Sequence, residues 1–402
     1  MNEFMEKKVQ LKWHRPRSSY DIVIIGGGGH GLSAAYYLAT RHGITDVAVL
    51  ERKYIGGGNS GRNTTVIRSN YGVPEAIRFY QRSLELYQGL EAETDRWLMH
   101  KPKGLLWLAH GEMASRAQFA RCALNREYGA DSDYVTPKEI KELVPEIDLT
   151  GGGHYPVTGG AYHKAGATAR HDRVNWALAE GANRLGVHIH QRTEVTGLKL
   201  QSGRVVGVQT NQGPISCGTV LCAVGGHVSQ MTALAGFQVP IRTHPLQAYV
   251  TSHYERTFDP IVASTSLLCY VSQTARGEML MGAEIDRQPS YNYRANQKLI
   301  QSCSHRVLTI LPFMRKLRVL RHWTGVCDMS PDYSPIMGFT PVKNFLLTTG
   351  WGTWGFKAIP AGGEAMAELM ATGKTPELIA PFALDRFRRD RTKADRGSAG
   401  TH

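Results

Sequence analysis

Two glycine-rich segments, far apart along the chain, contain residues whose types and spacing could do chemistry. The first spans residues 26–31, with glycine at positions 26, 28 and 31. In such a segment the first glycine permits a tight turn, the second lets a pyrophosphate approach the backbone, and the third lets a helix pack against a strand. Glu51 follows twenty residues after Gly31, where a carboxylate can accept hydrogen bonds from ribose hydroxyls. The spacing therefore predicts a dinucleotide site.

The second segment, residues 350–357, reads Gly-Trp-Gly-Thr-Trp-Gly-Phe-Lys. A lysine on a surface loop is usually solvated, but Lys357 stands among Trp351, Trp354 and Phe356, which favours burial. We expect this loop to return to the dinucleotide site and to bring the lysine with it. A cation there can bind an acidic substrate or stabilise negative charge that develops during a reaction.

The elements that must position these residues follow from the hydrophobic pattern. Residues 20–25 predict a buried parallel strand, residues 32–39 a helix, and residues 47–50 a second strand. After Glu51 the chain does not continue in alternating strands and helices, as a nicotinamide-binding domain would. It enters a second glycine- and amide-rich loop at residues 56–65, which suits a cofactor that lies extended with its far end deeper in the protein. This favours FAD over NAD.

Composition limits the class of protein. A chain of 402 residues, with 42% hydrophobic and 20% charged residues, is typical of a soluble globular protein with about two domains. No apolar run approaches the roughly 20 residues that cross a bilayer. The basic, polar N-terminus has the features of neither a secretory signal nor an anchor. We therefore expect a cytoplasmic protein with no membrane contact.

Charge and cysteine content exclude further classes. The net charge is +13, and basic residues gather at residues 1–20 and 386–391. No nucleic-acid-binding motif accompanies them, so we interpret these ends as solvated arms or docking segments and expect no nucleic acid. The six cysteines form no CxxC pair and no cluster with zinc spacing, which indicates reduced thiols and no metal site.

The predicted nucleotide domain is discontinuous, because further strands that end in small residues are expected near residues 187–198, 218–226 and 344–350. We assign the FAD-binding domain to residues 20–90, 150–230 and 325–385. The intervening residues 91–149 and 231–324 would form a second domain over the far end of the cofactor. Residues 1–19 would be a basic arm and residues 386–402 a polar basic tail.

These segments together resemble the glycine oxidase/sarcosine oxidase/D-amino-acid oxidase family of FAD enzymes, and within it the β subunits of heterotetrameric sarcosine oxidases. The resemblance covers residues 10–390 and rests on residues 62–71, 170–172, 332–338 and 350–357. It implies a mixed α/β fold, with a Rossmann-like FAD domain of the p-hydroxybenzoate hydroxylase type. It also implies a mostly antiparallel substrate domain, in which residues 246–251 and 278–283 read as strands.

The resemblance implies site residues as well. Arg68 resembles the carboxylate-binding arginine of monomeric relatives, although a structural arginine paired with an acid at a domain interface would look the same. Lys357 could bind the substrate carboxylate, stabilise the reduced flavin or assist its reoxidation, and the individual roles of the two cations stay open. Together they would lower the pKa of a bound amine. The expected FAD contacts are Gly26, Gly28, Gly29, His30, Gly31, Glu51, Arg52, Asn59, Asn63, Thr64, Val195, Gly225, Gly352 and Trp354.

A second flavin is also implied. By pattern alone, His171 is a cap or packing residue at the start of a helix. The resemblance implies instead that His171 carries FMN covalently, at a boundary shared with the α subunit, and that Arg170 contacts the FMN phosphate. FAD would take the electrons of sarcosine, giving glycine and formaldehyde or its folate adduct, and FMN would pass them to oxygen to give hydrogen peroxide. Monomeric relatives attach FAD through a cysteine, but Cys327 is displaced from that position by two residues, so we expect noncovalent FAD and an ordinary thiol.

Other functions fit parts of the sequence. A dehydrogenase of proline or another secondary amino acid would share the FAD plan and pass electrons to a carrier, but Arg170 and His171 argue against it. A nonenzymatic flavin-carrying subunit should have lost Arg68 and Lys357, and a nicotinamide dehydrogenase should lack the loop after Glu51. The chain has one dinucleotide motif and no folate domain. The resemblance therefore places NAD, tetrahydrofolate and zinc on α, γ and δ partner subunits.

Overall fold

The computed structural model describes residues 10–389 and 391–393. Its strands, in chain order, are β1 (Ser19–Ile25), β2 (Val47–Glu51), β3 (Val66–Ile67), β4 (Lys101–Pro102), β5 (Leu105–His110), β6 (Asp133–Val135), β7 (Val157–His163), β8 (Ala167–Thr168), β9 (His188–Gln191), β10 (Val195–Gln201), β11 (Arg204–Thr210), β12 (Gly213–Cys222), β13 (Arg242–His253), β14 (Ile261–Ser264), β15 (Cys269–Gln273), β16 (Glu278–Ile285), β17 (Val319–Met329), β18 (Ile336–Phe339) and β19 (Phe345–Thr349). Its α-helices are α1 (Gly29–His42), α2 (Pro74–Thr94), α3 (Glu112–Glu127), α4 (Pro137–Leu143), α5 (His171–Arg184), α6 (Val228–Leu234), α7 (Gln297–Ile310) and α8 (Ile359–Thr372).

The first sheet has β1 at its centre, with β2 and then β9 on one side and β12 on the other. These pairs and the pair of β12 with β19 are parallel, whereas β10, β11 and β18 are antiparallel to their neighbours. Ile22 and Ile24 of β1 belong to the same core as α1, α5 and α8, while Val23 and Ile25 belong to the core of the opposite face. Both faces of the strand are therefore covered, as its run of β-branched residues predicts.

The second sheet has the strand order β17-β13-β16-β15-β14-β5-β7-β6. Every neighbouring pair is antiparallel except β14 with β5. The predicted mixed α/β fold, with its mostly antiparallel second sheet, is confirmed. Strand β7 and residues 325–329 of β17 belong to this sheet, although the sequence assigned them to the FAD domain. Hydrogen bonding of β17 along β13 draws residues 325–329 to the second sheet.

A small third sheet is built from three short strands in the order β3-β8-β4. Its register pairs Thr168 with Val66 on one side and with Lys101 on the other. Strand β3 leads directly to Arg68, and β8 is followed closely by His171. The segments that carry the predicted substrate arginine and the predicted FMN histidine therefore start from neighbouring strands.

The basic C-terminal segment differs from the solvated tail that the sequence predicted. Arg386 is 3% exposed, and its guanidinium donates from Nε and Nη2 to the two carboxylate oxygens of Asp332 at 2.8 and 2.9 Å. This ion pair buries the start of the segment because the arginine has a buried acidic partner. Residues 390 and 394–402 of the predicted tail and residues 1–9 of the predicted arm lie outside the described residues. No helix in the described part of the chain is both long enough and apolar enough to span a membrane.

Candidate active site

A large cavity, here called the main cavity, is lined by residues from strands of both large sheets. It brings together residues that are up to about 330 positions apart in the chain, from the glycine-rich turn after β1 to the loop before α8. Fifteen of the predicted site residues line it: Gly26, Gly28, Gly29, His30, Glu51, Arg52, Asn59, Asn63, Thr64, Arg68, Val195, Gly225, Gly352, Trp354 and Lys357. Gly31, Arg170 and His171 are not among the lining residues.

The glycine-rich turn joins the end of β1 to the start of α1. Gly26 has a φ of +113°, and a Cβ there would stand 2.4 Å from the carbonyl oxygen of Ala223. A Cβ on Gly31 would stand 2.0 Å from the carbonyl oxygen of Gly26. Both positions therefore require glycine, the first for the turn and the last for the close approach of helix to strand. The N-terminus of α1 is left facing the main cavity, where backbone N–H groups and the helix dipole favour a phosphate.

Glu51 lies at the end of β2, beside this turn. Its Oε2 accepts a hydrogen bond from Gly27 N at 2.9 Å, and its Oε1 accepts one from Lys53 N at 2.8 Å. Each carboxylate oxygen can accept more than one hydrogen bond, so the fixed carboxylate can still receive ribose hydroxyls. Arg52 continues the wall and contacts His227 at 2.7 Å.

The loop at residues 56–65 shapes the middle of the cavity. Asn59 accepts a hydrogen bond through Oδ1 from Val326 N at 2.8 Å, and Asn63 accepts one through Oδ1 from Thr65 N at 2.7 Å. Ser60, which sequence reasoning missed, accepts one through Oγ from Gly29 N at 2.8 Å. These amides and this hydroxyl hold the loop against β17 and the first turn of α1. A serine within a glycine-rich loop is the only sequence signal for this role.

The loop at residues 350–357 packs against the glycine-rich turn, as predicted. The indole of Trp351 stacks on the imidazole of His30, with ring centroids 4.0 Å apart. His30 donates through Nε2 to the carbonyl oxygen of Gly355 at 3.0 Å. Burial lowers the pKa of His30 to about 3, although the hydrogen bond to Gly355 opposes this. The imidazole is therefore neutral, and His30 joins the two segments through packing and one hydrogen bond.

Lys357 is 6% exposed, and its Nζ donates to Thr353 O at 3.3 Å. Helix α2 fixes the backbone around it, because Ser83 Oγ donates to Lys357 O at 2.6 Å and Tyr87 OH donates to Phe356 O at 2.7 Å. Burial lowers the pKa of Lys357 well below its ordinary value, and the positive charge of Arg68 lowers it further.

Arg68 is 3% exposed and lines the same cavity. Its guanidinium lies over the rings of Tyr71 and Trp107, with the Cζ atom 4.0 and 5.3 Å from the ring centroids. Its Nη1 donates to Asn70 Oδ1 at 3.1 Å and to the Asn70 carbonyl. These contacts leave the guanidinium inside an apolar-walled pocket, where it can bind an anion together with Lys357.

His171 and Arg170 lie away from the main cavity, at the start of α5. Arg170 donates to both carboxylate oxygens of Asp172, at 2.9 and 2.8 Å. The Nδ1 atom of His171 is buried and has no hydrogen-bond partner among the described residues. Burial lowers the pKa of His171, although the charge of Asp172 opposes this. A neutral imidazole with an unpaired nitrogen can act as a nucleophile or accept a hydrogen bond.

Strand β17 contributes further residues to the main cavity. Cys327 lines it, and burial raises the pKa of its thiol, so the sulfur stays protonated and is a poor nucleophile.

Tyr270 on β15 also lines the main cavity, and its hydroxyl lies 2.6 Å from that of Thr64. Sequence reasoning missed Tyr270 and Asp328, because neither belongs to a local motif.

The arrangement can hold a dinucleotide and a small anion in one cavity. The glycine-rich turn, the N-terminus of α1 and Glu51 form the nucleotide end. Arg68 and Lys357, walled by aromatic rings, lie in the same cavity and can bind a small anion. A group bound there would be shielded from water, so the two charges would act in a low dielectric and strongly favour an acidic ligand.

Known proteins resemble this chain over most of its length. The family described as FAD dependent oxidoreductase matches residues 21–369. The sarcosine oxidase subunit beta of Rhodobacter capsulatus is 41% identical over 373 residues, which cover 93% of this chain and 90% of that relative. The subunit of the same name from an Arthrobacter species is 40% identical over 401 residues, 99% of each chain. The crystal structure of L-proline dehydrogenase from P. horikoshii has a TM-score of 0.88 and 28% identity, and covers 94% of this chain and 100% of that one.

Proposed function

This chain belongs to the family of FAD dependent oxidoreductases and is a flavin-dependent amine-oxidising enzyme, and from that premise we propose that it oxidises sarcosine as the β subunit of a heterotetrameric sarcosine oxidase. The observation that carries the proposal is the pair of buried cations, Arg68 and Lys357, in the same cavity as the dinucleotide turn. Sarcosine offers a carboxylate for the cations and an N-methyl carbon for the flavin. The two sarcosine oxidase β subunits support this choice of substrate.

The residues of the cavity fit FAD. Glycine is required at positions 26 and 31, since any Cβ there would clash with backbone atoms, and the resulting turn presents its N–H groups to a pyrophosphate. Glu51 would hold the ribose. FAD, when bound, would accept the hydride equivalent from the N-methyl carbon of sarcosine. We propose that FAD binds noncovalently, because the buried Cys327 thiol is a poor nucleophile.

The chain's own residues would bind and orient the substrate. Arg68 offers a guanidinium fork that matches a carboxylate, and Lys357 adds a second basic group from another segment of the cavity wall. Two cations near the bound amine lower its pKa, which favours the neutral form with a free electron pair. Aromatic side chains, among them Trp107 and Trp354, line the cavity and exclude water from the reacting carbon.

We further propose that His171 holds FMN covalently, at a boundary with the α subunit. The observation that supports it is the buried Nδ1, which has no partner among the described residues, on an imidazole that burial keeps neutral. Arg170 donates to Asp172 in this structure, and its guanidinium could also donate a hydrogen bond to the FMN phosphate. FMN would supply the reaction with oxygen that gives hydrogen peroxide. Strand β3, which precedes Arg68, pairs with β8, which precedes His171. This pairing supports a short distance for electron transfer between the two flavins.

The rest of the assembly follows from the same proposal. Partner subunits α, γ and δ would complete a cytoplasmic heterotetramer, and NAD, tetrahydrofolate and zinc, where present, would lie on those partners. The formaldehyde released with glycine would leave free or as its folate adduct.

A second candidate is a dehydrogenase of proline or another secondary amino acid. It is supported by the likeness to the L-proline dehydrogenase structure. Such an enzyme would use the same cavity but pass electrons to a carrier rather than to oxygen.

The test is an intact-mass spectrum of the denatured chain, purified with its partner subunits, beside a His171→Ala control. The proposal predicts a mass increase of one FMN on the wild-type chain and none on the control, together with free FAD in the supernatant. A bare wild-type chain that releases only FAD would contradict the FMN proposal. If that enzyme also reduced an artificial acceptor with L-proline and consumed no oxygen with sarcosine, the dehydrogenase would be the better assignment.

A further inference from the structure

Asp328 is a buried carboxylate near the end of β17 and is neither of the two basic residues proposed to bind the substrate. It is 2% exposed and lines the main cavity. Its Oδ2 accepts hydrogen bonds from Thr349 Oγ1 at 2.8 Å, Gly350 N at 2.6 Å and Trp351 N at 3.2 Å. Its carbonyl oxygen accepts one from Gly352 N at 3.2 Å. One residue of the second sheet thus holds the last residue of β19 and the first three residues of the loop that ends at Lys357.

The first residues of the loop, 350–352, need an anchor such as Asp328. Gly350 and Gly352 both have left-handed backbone conformations, with φ of +71° and +50°, so the chain makes two sharp changes of direction between β19 and Lys357. The far end of the loop is held separately, by Ser83 Oγ on the carbonyl oxygen of Lys357. The start of the loop depends on Asp328, and any shift there would be passed along a few residues to the lysine.

Burial raises the pKa of Asp328, and the hydrogen bonds from Thr349, Trp351 and Gly350 oppose that rise because they stabilise the carboxylate. A carboxylate oxygen that accepts several N–H and O–H donors binds them more strongly than a neutral amide oxygen does. An asparagine at this position would carry one acceptor oxygen and one NH₂ donor. If its amide flipped, the NH₂ group would face the donors of Thr349, Gly350 and Trp351, and those hydrogen bonds would be lost. No cation of the described residues forms a salt bridge with Asp328, and a buried carboxylate without one is otherwise unfavourable. This argues that the acceptor strength of the carboxylate is what the site uses.

We propose that Asp328 is a positioning residue for amine oxidation, which fixes residues 349–352 and thereby places the ammonium of Lys357 opposite Arg68 for a substrate carboxylate. The inference rests on the proposed function, because it takes a carboxylate-bearing amine as the substrate. Asp328 acts through Lys357, so its removal should matter only while the lysine is present.

The test is a double-mutant cycle in the assembled, FAD-loaded enzyme, with Asp328→Asn, Lys357→Met and the double variant. Two quantities are measured: kcat/KM for sarcosine, and the Kd of methoxyacetate, a carboxylate without an amine, from the change it causes in the flavin absorption spectrum. Asp328→Asn alone should lower kcat/KM by roughly 10–100-fold and weaken methoxyacetate by about 10-fold, as for loss of one or two charge-assisted contacts. In the Lys357→Met background it should change either quantity by less than about 2-fold.

Matched variants separate positioning from general damage. Asp385→Asn, which changes an exposed carboxylate, should leave both quantities within about 2-fold of wild type. Thr349→Val removes one donor to the same carboxylate and should give a smaller effect of the same sign. If Asp328→Asn does not fold, Thr349→Val replaces it in the double-mutant cycle with Lys357→Met.

The outcomes distinguish this inference from the proposed function. An Asp328→Asn effect of equal size with and without Lys357, or one explained by loss of bound flavin, would overturn the positioning role. A wild-type enzyme that binds methoxyacetate but does not oxidise sarcosine would contradict the proposed substrate, while the cycle in Kd still decides the role of Asp328. A wild-type enzyme that neither binds methoxyacetate nor oxidises sarcosine would contradict the proposed substrate and the proposed role of Asp328.

Discussion

Replacing Lys357 by methionine should stabilise the protein while it removes a group that the proposed reaction needs. The ammonium is buried and, among the described residues, it donates to one carbonyl oxygen at 3.3 Å and pairs with no carboxylate. Burial lowers its pKa, and the charge of Arg68 adds to this effect. A buried charge with so little compensation opposes folding. Methionine has a similar length and no charge, so it removes the penalty and leaves a small cavity at most.

The size of the gain can be bounded. Replacing a buried ion pair by well-packed apolar residues of similar volume is often neutral or stabilises a protein by about 1–4 kcal/mol, and we expect a gain of that order for a buried lysine without a carboxylate partner. Unfolding entropy is about 2.1 cal/mol/K per residue, which gives roughly 0.8 kcal/mol/K for a chain of this length. A gain of about 1–3 kcal/mol should therefore raise the melting temperature by roughly 1–4 °C.

The gain should also depend on pH with a definite sign. Because the pKa of Lys357 is lower in the folded state than in the unfolded state, the folded protein binds fewer protons between the two values. The wild-type protein therefore recovers stability as pH rises from the folded-state pKa toward the unfolded value of about 10.4. The difference between wild type and the methionine variant should shrink over that range.

The assay is thermal unfolding of the FAD-loaded wild type, Lys357→Met and Lys374→Met, at neutral pH and near pH 9.5. Lys374 is an exposed lysine and serves as the control, with an expected effect within about 0.5 kcal/mol. The reasoning is refuted if Lys357→Met melts at or below the wild-type temperature at neutral pH. It is also refuted if Lys374→Met shows the same increase, because the gain would then come from net charge rather than from burial.

Three further predictions follow from single contacts. Arg68→Met should raise KM for sarcosine roughly 10–100-fold, since a charge-assisted hydrogen bond contributes about 1.5–3 kcal/mol; an unchanged KM in steady-state kinetics would contradict this. Gly31→Ala should abolish retention of FAD, because its Cβ would stand 2.0 Å from Gly26 O, and the flavin-to-protein ratio after gel filtration checks it. Arg386→Leu should lower the free energy of unfolding in urea by about 3–5 kcal/mol at neutral pH, because it leaves Asp332 buried without its partner. Burial would raise the pKa of Asp332, but Arg386 outweighs it and holds the pKa below its ordinary value. The pair's contribution is therefore complete above the unfolded pKa of about 3.9 and fades in acid, so the two unfolding curves should converge as pH falls.

The nucleotide end of the site was predictable because its signals are local. The strand before Gly26, the helix after Gly31 and the carboxylate of Glu51 follow one another within about thirty residues, and each has a period or spacing that one element dictates. The packing of residues 350–357 against the glycine-rich turn was predictable from the apolar neighbours of Lys357 together with the family resemblance. The contact itself, Trp351 on His30, joins residues more than 300 positions apart.

Other features could not be predicted, because their partners are distant in sequence. Asp328 acquires its role from the loop at residues 349–352, which folds back beside the end of β17 only in the complete sheet arrangement. The sequence placed Arg386 in a solvated basic tail, because its buried acidic partner, Asp332, lies 54 positions earlier in the chain. Residues 325–329 of β17 were assigned to the FAD domain, whereas their hydrogen bonds to β13 lie in the second sheet. In each case the side chain's environment is set by tertiary pairing rather than by local pattern.

The most direct test of the central claim is reduction of the bound flavin by substrate without oxygen. Anaerobic enzyme, assembled with its partner subunits, is mixed with sarcosine, and the absorption band of oxidised flavin is followed in wild type and in Arg68→Met. We expect rapid bleaching of wild type by sarcosine, much slower bleaching of the variant, and little bleaching by the same concentration of L-proline. Faster bleaching by L-proline than by sarcosine, or equal rates in the two proteins, would contradict the proposed oxidation of sarcosine.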